Sequence, residues 1–233
     1  MEKSGTSAAI VSAVVALLVG GGVGYVVGNN NDEDMNKTAN NSESAESGTS
    51  EANSVQAPAA SLRVALNNAL QEHVNLAGVT LRNVYLEAPD TDAAVAALDE
   101  NSKEVAGLVG SVYGDDAEAS FLELWRNHIT FFANYTVAAR DDDQAGMDQA
   151  KEDLAGYGEA ASNFFESANP NLPKDAVMPL LEEHRNLVLT VIDTLDAGDL
   201  EGTYVALTAA ADQSKDIADA LAGGIEAQFP EMY

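Results

Sequence analysis

Apolar residues recur three and four positions apart from Ser61 to the end of the chain, with polar residues between them. This spacing places side chains on one face of an α-helix. In the first such stretch, one face contains the residues Leu62, Leu66, Leu70, His73, Ala77 and Leu81. Few segments show the strict alternation of apolar and polar residues that is typical of a half-buried β-strand. The pattern therefore predicts an all-α domain over residues 61–233.

Turn-forming residues interrupt this pattern five times and divide it into six predicted helices. The interruptions are residues 86–89, 113–114, 140–143, 169–173 and 197–199. Proline ends or kinks a helix, and glycine and aspartate favour turns and new N-caps. Asp115, with Glu118 three residues later, predicts a capping box at the start of the third helix. We expect the six helices to form a bundle of three helical hairpins.

The only three histidines of the chain occupy corresponding positions in the three predicted hairpins. His73, His128 and His184 are 55 and 56 residues apart and lie in the similar phrases LQEHVNLA, LWRNHITFF and LLEEHRNLV. A fixed period of this size indicates an internal repeat, which places equivalent side chains in equivalent environments. If the bundle closes around an axis, the three imidazoles meet at one place. If it does not, they are three separate core residues.

The second helix of each hairpin carries a polar residue at a matching distance. Asn101, Tyr157 and Gln213 follow their histidines by 28, 29 and 29 residues. We expect each to face the imidazole of its hairpin as a candidate hydrogen-bond partner, because buried polar groups need one. One interpretation is three neutral histidines held in the core. The alternative is a copper or zinc site with the three histidines as its ligands.

Residues 8–28 form an uncharged and largely aliphatic stretch near the N-terminus. At about 1.5 Å per residue, a helix of this length crosses a hydrocarbon core of about 30 Å. Lys3 precedes the stretch and acidic residues follow it, which favours a cytoplasmic N-terminus and an extracytoplasmic C-terminal domain. We therefore predict that residues 1–28 are an uncleaved signal-anchor of a single-pass cell-membrane protein. Secretion after signal cleavage is the alternative, because the mostly aliphatic part of the stretch is short.

Within this anchor, Gly20, Gly24 and Gly28 recur every four residues and fall on one helix face. A glycine face lets two membrane helices approach closely, so the spacing predicts self-association through the anchor. The alternative is that these glycines reflect only the high glycine content of membrane helices.

Residues 29–60 separate the anchor from the helical domain. They are rich in Asn, Ser, Glu and Ala and contain almost no large apolar side chains. Such a segment buries too little apolar surface to offset the entropy of ordering, so it is predicted to be a disordered linker.

The charge and the residue types of the chain exclude several functions. There are 38 acidic and 11 basic residues, and the resulting net charge of −27 repels nucleic acids. The absence of cysteine excludes disulfides, thiolate catalysis and cysteine-ligated zinc. The chain has no HExxH, GxSxG or P-loop motif, and no Glu-x-x-His pair of the kind that binds di-iron in helical bundles. We expect no catalytic residues and no cofactor, and a non-enzymatic role in binding or interaction with an unknown partner at the cell surface.

Three phrases of the helical region are similar to a known family. They are GSVYG at residues 110–114, LWRNHITFF at 124–132 and NPNLP at 169–173. Through them the chain resembles an uncharacterised family of exported bacterial all-helical domains, some of which lie beside copper amine oxidase N-terminal-like domains. The resemblance implies a helical fold and export, without oxidase chemistry. The family pattern has a further histidine where this chain has Gln213, which argues against a four-histidine site.

Overall fold

The computed structural model describes residues 58–232 of the 233-residue chain. The predicted anchor over residues 1–28, its three glycines and nearly all of the predicted linker over residues 29–60 lie outside the described residues. Inside residues 58–232, none of the helices combines the length and the apolar character that crossing a membrane requires.

Six α-helices make up almost all of the described chain, and none of it forms a β-strand. The helices are α1 (Pro58–Leu86), α2 (Thr91–Tyr113), α3 (Asp115–Arg140), α4 (Gln144–Ala168), α5 (Lys174–Asp196) and α6 (Leu200–Gln228). The prediction of an all-α bundle of six helices is confirmed. Each predicted interruption separates two helices, because these segments hold the prolines, glycines and aspartates that do not continue a helix.

Aspartate side chains cap two of the helices, as residues at the N-cap position commonly do. Asp143 accepts a hydrogen bond of 3.1 Å from the Gly146 amide at the start of α4. Asp199 accepts one of 2.9 Å from the Gly202 amide at the start of α6. The predicted capping box of α3 is wrong: Gly114, at φ 88°, is the N-cap, and no side chain caps this helix. The single glycine leaves no room for a separate capping residue between α2 and α3.

The six helices form a closed ring of antiparallel neighbours. Consecutive helices pair because short segments join them, and α6 packs back against α1. At this closing contact, the Arg63 guanidinium binds the carboxylates of Asp219 and Glu226 at 2.9 and 3.0 Å. Helices α1, α3 and α5 also contact one another, whereas α2, α4 and α6 lie outside them. The histidine-bearing helices therefore surround the axis of the bundle.

The hydrophobic core has two parts that lie on either side of the histidines. On α1 and α3, the part towards the N-terminal ends of these helices contains Leu66, Leu70 and Phe121. The other part consists of two clusters of buried residues, one with Leu81 and one with Ile129. The histidines form a polar layer between the two parts, and we refer to His73, His128 and His184 as the histidine layer.

Candidate functional site

The three histidines line the same central cavities of the bundle. The ring centroids of His73 and His128 are 5.5 Å apart, with an interplanar angle of 46°. These two side chains are 3% and 4% exposed, whereas His184 is partly accessible and makes no ring contact with the other two. Because the ring of helices closes, imidazoles that are more than fifty residues apart in sequence come together at the axis.

Asn101 fixes the protonated nitrogen of His73. The Asn101 side-chain NH2 donates to the Ala69 carbonyl at 3.0 Å, which turns the amide oxygen of Asn101 towards His73. That oxygen lies 3.2 Å from His73 Nδ1. Since an amide oxygen only accepts hydrogen bonds, Nδ1 must carry the proton. The other ring nitrogen, Nε2, is then a lone-pair acceptor, and it makes no hydrogen bond to the described residues.

His184 has the same arrangement in the third hairpin. The Gln213 side-chain NH2 donates to the Leu180 carbonyl at 3.0 Å, and its amide oxygen lies 3.1 Å from His184 Nδ1. In both hairpins the carbonyl belongs to the residue four positions before the histidine. The Nε2 atom of His184 is therefore also an acceptor.

The middle hairpin differs from the other two. Tyr157 lies at the expected height, but its ring stacks on the His128 ring at 4.7 Å and 25°. His128 Nδ1 is buried and makes no hydrogen bond of standard geometry, although the Trp125 carbonyl lies close enough to favour the protonated ring. Tyr157 cannot act as the amides of Asn101 and Gln213 do, because its hydroxyl lies at the far end of the stacked ring. The structure thus brings two of the three predicted polar partners into hydrogen bonds, and the third into a ring contact.

Trp125 completes the histidine layer. Its ring centroid lies 4.7 Å from that of His73 and 4.6 Å from that of His128. Its Nε1 is buried without a hydrogen-bond partner. Trp125 is not among the site residues predicted from the sequence; its position three residues before His128, on the same helix face, was the available signal.

Burial keeps all three imidazoles neutral at ordinary pH. It lowers the pKa of His73 to about 3, with the nearby His184 acting in the same direction and the hydrogen bond to Asn101 opposing it. The pKa of His128 is well below its usual value, because of burial and then of the two neighbouring imidazoles, while the Trp125 carbonyl acts in the opposite direction. Burial also lowers the pKa of His184, against the hydrogen bond to Gln213.

Two cavities meet at the histidine layer. The first, which we name the apolar cavity, leaves about 30 Å³ for the centres of water-sized molecules and lies towards the C-terminal ends of α1, α3 and α5. The second, which we name the histidine cavity, leaves about 50 Å³ and lies on the other side. On this measure one water takes about 10–15 Å³, so each volume corresponds to a few water molecules. Most of their walls are aliphatic and aromatic.

The polar lining of the histidine cavity combines donors and acceptors. It includes the histidine layer, Trp125, Tyr157, Ser214, Glu182 and Arg185. One side of this cavity lies at the contact between α4 and α5. Helix α4 contributes Tyr157 and Gly158 there, and α5 contributes Glu182 and Arg185. These two helices touch over fewer residues than any other pair of neighbours in the ring.

Two further buried polar atoms of the described residues have no partner, Thr80 Oγ1 and Asn83 Nδ2 on α1. Thr80 lines the apolar cavity, away from Trp125 and Tyr157. Thr80 is therefore separate from Trp125 and Tyr157, although it shares the apolar cavity with the three histidines.

The spacing of the histidine layer fits a metal site only in part. Two imidazoles on one zinc ion, with Zn–N bonds of about 2 Å, have ring centroids about 5 Å apart. The distance of 5.5 Å between His73 and His128 is close to this value. Across residues 58–232, however, no three histidine or carboxylate side chains are grouped closely enough to hold one ion. A metal shared by all three histidines would require His184 to move towards the other two.

Comparison with protein-family models, with curated proteins and with solved structures finds no match to this chain. The family resemblance stays a prediction, and functional inference depends on the geometry of the site.

Proposed function

We propose that the protein is a non-enzymatic binding protein whose helical domain is held outside the cell membrane by residues 1–28 and the linker after them. The ligand occupies the histidine cavity. The observation that carries this proposal is the group of polar atoms without protein partners around one internal space. Trp125 Nε1 and His128 Nδ1 are buried without a hydrogen bond, and the Nε2 atoms of His73 and His184, which line the same cavity, make none to the described residues.

Leaving such groups unsatisfied is unfavourable. A buried donor or acceptor without a partner costs about 1–3 kcal/mol, so a small molecule that supplies the missing hydrogen bonds gains affinity here. Trp125 Nε1 can only donate, whereas the two Nε2 atoms can only accept. The cavity therefore offers both a donor and acceptors to a small polar molecule.

The same groups support a non-enzymatic role. A general base works best when its pKa is near the working pH, and burial lowers the pKa of His73 to about 3. The hydroxyl of Ser214, which lines the cavity, donates to the Ala211 carbonyl on its own helix. The histidine layer therefore lacks a nucleophile paired with an effective base.

The matched contacts also support the interpretation of three repeated hairpins. The contact of His73 with Asn101 matches that of His184 with Gln213. In each, an amide oxygen lies beside Nδ1 of the histidine, and the amide NH2 donates to the backbone carbonyl four residues before that histidine. In a duplicated hairpin these contacts are inherited together, and substitution by Tyr157 changes the middle copy alone.

Trp125 provides a direct test, because it is the only tryptophan of the chain and lies in the site. The full-length protein in lipid nanodiscs is titrated with butan-1-ol, a small molecule with one hydroxyl and a short apolar chain. We expect a saturable change in Trp125 emission. Ile217→Phe, which fills the cavity, abolishes it, whereas Val79→Phe on the exposed side of α1 leaves it unchanged. A linear response in all three proteins contradicts the proposal.

A copper or zinc site is the second candidate function. It is supported by the two fixed Nε2 lone pairs and by the spacing of His73 and His128. Oriented amides of this kind hold metal-binding histidines in place. The full-length protein is exposed to Zn²⁺ or Cu²⁺, desalted and assayed for bound metal. Under this candidate, metal is stoichiometric in the wild type and lost in His73→Gln, His128→Gln and His184→Gln. Metal-free protein that remains folded rules this candidate out.

A further inference from the structure

Arg185 is a cation without an anion at the α4 side of the histidine cavity. Its side chain is partly buried and lines the cavity together with Tyr157 and Leu181. It forms no ion pair, and its only hydrogen bonds are two long contacts of 3.4 Å to the Asn186 side chain. An arginine carries five donors and is always charged, so most of its donors make no hydrogen bond to the described residues.

This lack of a partner is unusual in so acidic a protein. Acidic residues exceed basic ones by 38 to 11, and three other arginines of the described chain have carboxylate partners. These are Arg63, Arg126 and Arg140. Glu182 lies three residues before Arg185 and lines the same cavity, yet the two form no ion pair. Among the described arginines only Arg82 also lacks an ion pair, and it is exposed and lines neither of the two cavities.

Tyr157 supplies a second donor, on α4, at the same α4–α5 side of the cavity. Its hydroxyl makes no hydrogen bond to the described residues, and its ring is held in place by the stacking on His128. Burial raises the pKa of Tyr157, so the hydroxyl keeps its proton. Helices α4 and α5 thus each present a hydrogen-bond donor to the same cavity, and a carboxylate accepts several such bonds at once.

The remaining wall is apolar. It is formed mainly by aliphatic side chains, among them Leu66, Leu70, Leu154, Leu181, Ile217 and Leu221. Such a surface favours a short hydrocarbon chain over an inorganic anion, which would lose its hydration without gaining apolar contacts. The small volume restricts the chain to a few carbon atoms.

We infer that the histidine cavity binds a short-chain monocarboxylate, whose carboxylate accepts hydrogen bonds from Arg185 and Tyr157 and whose chain lies on the apolar wall. This inference rests on the proposed function and names the class of its ligand. Entry is between α4 and α5, where the ring has its least extensive contact. The guanidinium attracts the anion at this place against the negative charge of the rest of the molecule.

Butyrate and butan-1-ol form a matched pair of probes, because they have the same chain length and differ in charge. Trp125 emission of the full-length protein is recorded during titration with each, at constant ionic strength. We expect butyrate to bind about tenfold more tightly than butan-1-ol, because a hydrogen bond to a charged group contributes more binding free energy than a neutral one. Arg185→Gln removes the preference, and Arg82→Gln, the matched control, retains it. Glu182→Gln strengthens butyrate binding, because it removes a negative charge from the cavity.

The outcomes separate this inference from the proposed function. If butan-1-ol binds and butyrate binds no better, the cavity is a ligand site but the carboxylate assignment is wrong. If Arg82→Gln weakens butyrate binding as much as Arg185→Gln does, the effect is one of net charge and the assignment of Arg185 is wrong. If neither probe gives a saturable change, both the inference and the proposed function fail.

Discussion

At the scale of single residues, two side-chain amides determine the chemistry of the histidine layer. Asn101 and Gln213 each bind a backbone carbonyl with the NH2 group and a histidine with the oxygen. This double contact fixes the orientation of the amide and the tautomer of the imidazole. The cavity consequently meets lone pairs at the Nε2 atoms of His73 and His184, not N–H groups.

The sequence predicts these two partners but not the whole layer. Asn101 and Gln213 lie in the same hairpin as their histidines, 28 and 29 residues later. The repeat alone therefore suffices to predict these two contacts. At the same position Tyr157 is too bulky to bind as an amide does, and it stacks instead. The contact of Trp125 with both His73 and His128 joins two different hairpins, which no local spacing reveals.

Replacing Asn101 by leucine is expected to destabilise the fold. The substitution leaves His73 Nδ1 and the Ala69 carbonyl without their side-chain partner in the core, which costs about 1–3 kcal/mol. Urea unfolding of the full-length protein measures the change in the free energy of unfolding. Asn75→Leu is the control, because Asn75 is exposed and its side chain bonds only to its own helix. Equal effects of the two substitutions contradict the role given to Asn101.

At the scale of helices, the residues between them determine where each one ends. The predicted interruptions agree with the observed ends because proline, glycine and aspartate act locally. The start of α3 departs from the prediction because it follows α2 after a single residue, Gly114. Capping depends on this backbone geometry, so the Asp115 and Glu118 pattern did not suffice to predict it.

The caps of α4 and α6 are expected to contribute measurably to stability. Asp143→Ala and Asp199→Ala each remove a side-chain hydrogen bond to an unpaired amide of the first turn, at a cost of about 1 kcal/mol. Asp115→Ala at the start of α3 removes no such bond and is the matched control. Chemical denaturation of the three variants distinguishes them. A loss for Asp115→Ala as large as for the other two argues against the assigned caps.

At the scale of the whole molecule, ring closure converts a sequence repeat into a site. The periodicity predicts six helices, but only the packing of α6 on α1 brings α1, α3 and α5 around one axis. The sequence left two arrangements open, converging and separate histidines. The structure has His73 and His128 in ring contact, with His184 lining the same cavities.

This buried layer is expected to make the domain sensitive to mild acid. The pKa of His73 is about 3 in the fold and about 6.5 when unfolded, so the unfolded chain binds more protons between these values. Stability is therefore complete above pH 6.5 and falls as the pH decreases. At pH 5 the loss from His73 is about 2 kcal/mol, and His128 and His184 act in the same direction.

Urea unfolding at pH 7 and pH 5 measures this effect in the wild type and in His73→Gln. The variant should lose part of the difference between the two pH values, because glutamine does not titrate. Most carboxylates titrate nearer pH 4 and are still ionised in this window. A variant with the same pH dependence as the wild type would show that His73 is not buried as a neutral group.

Nitrogen-15 NMR of the imidazoles in the full-length protein tests the central claim most directly. At pH 7 we predict neutral rings, with the proton of His73 and His184 on Nδ1, and an Nε2 signal that shifts when butan-1-ol is added. Rings that carry the proton on Nε2, or that are charged at pH 7, contradict the geometry of the histidine layer. Nε2 signals that do not respond to the added molecule contradict its role as a binding site.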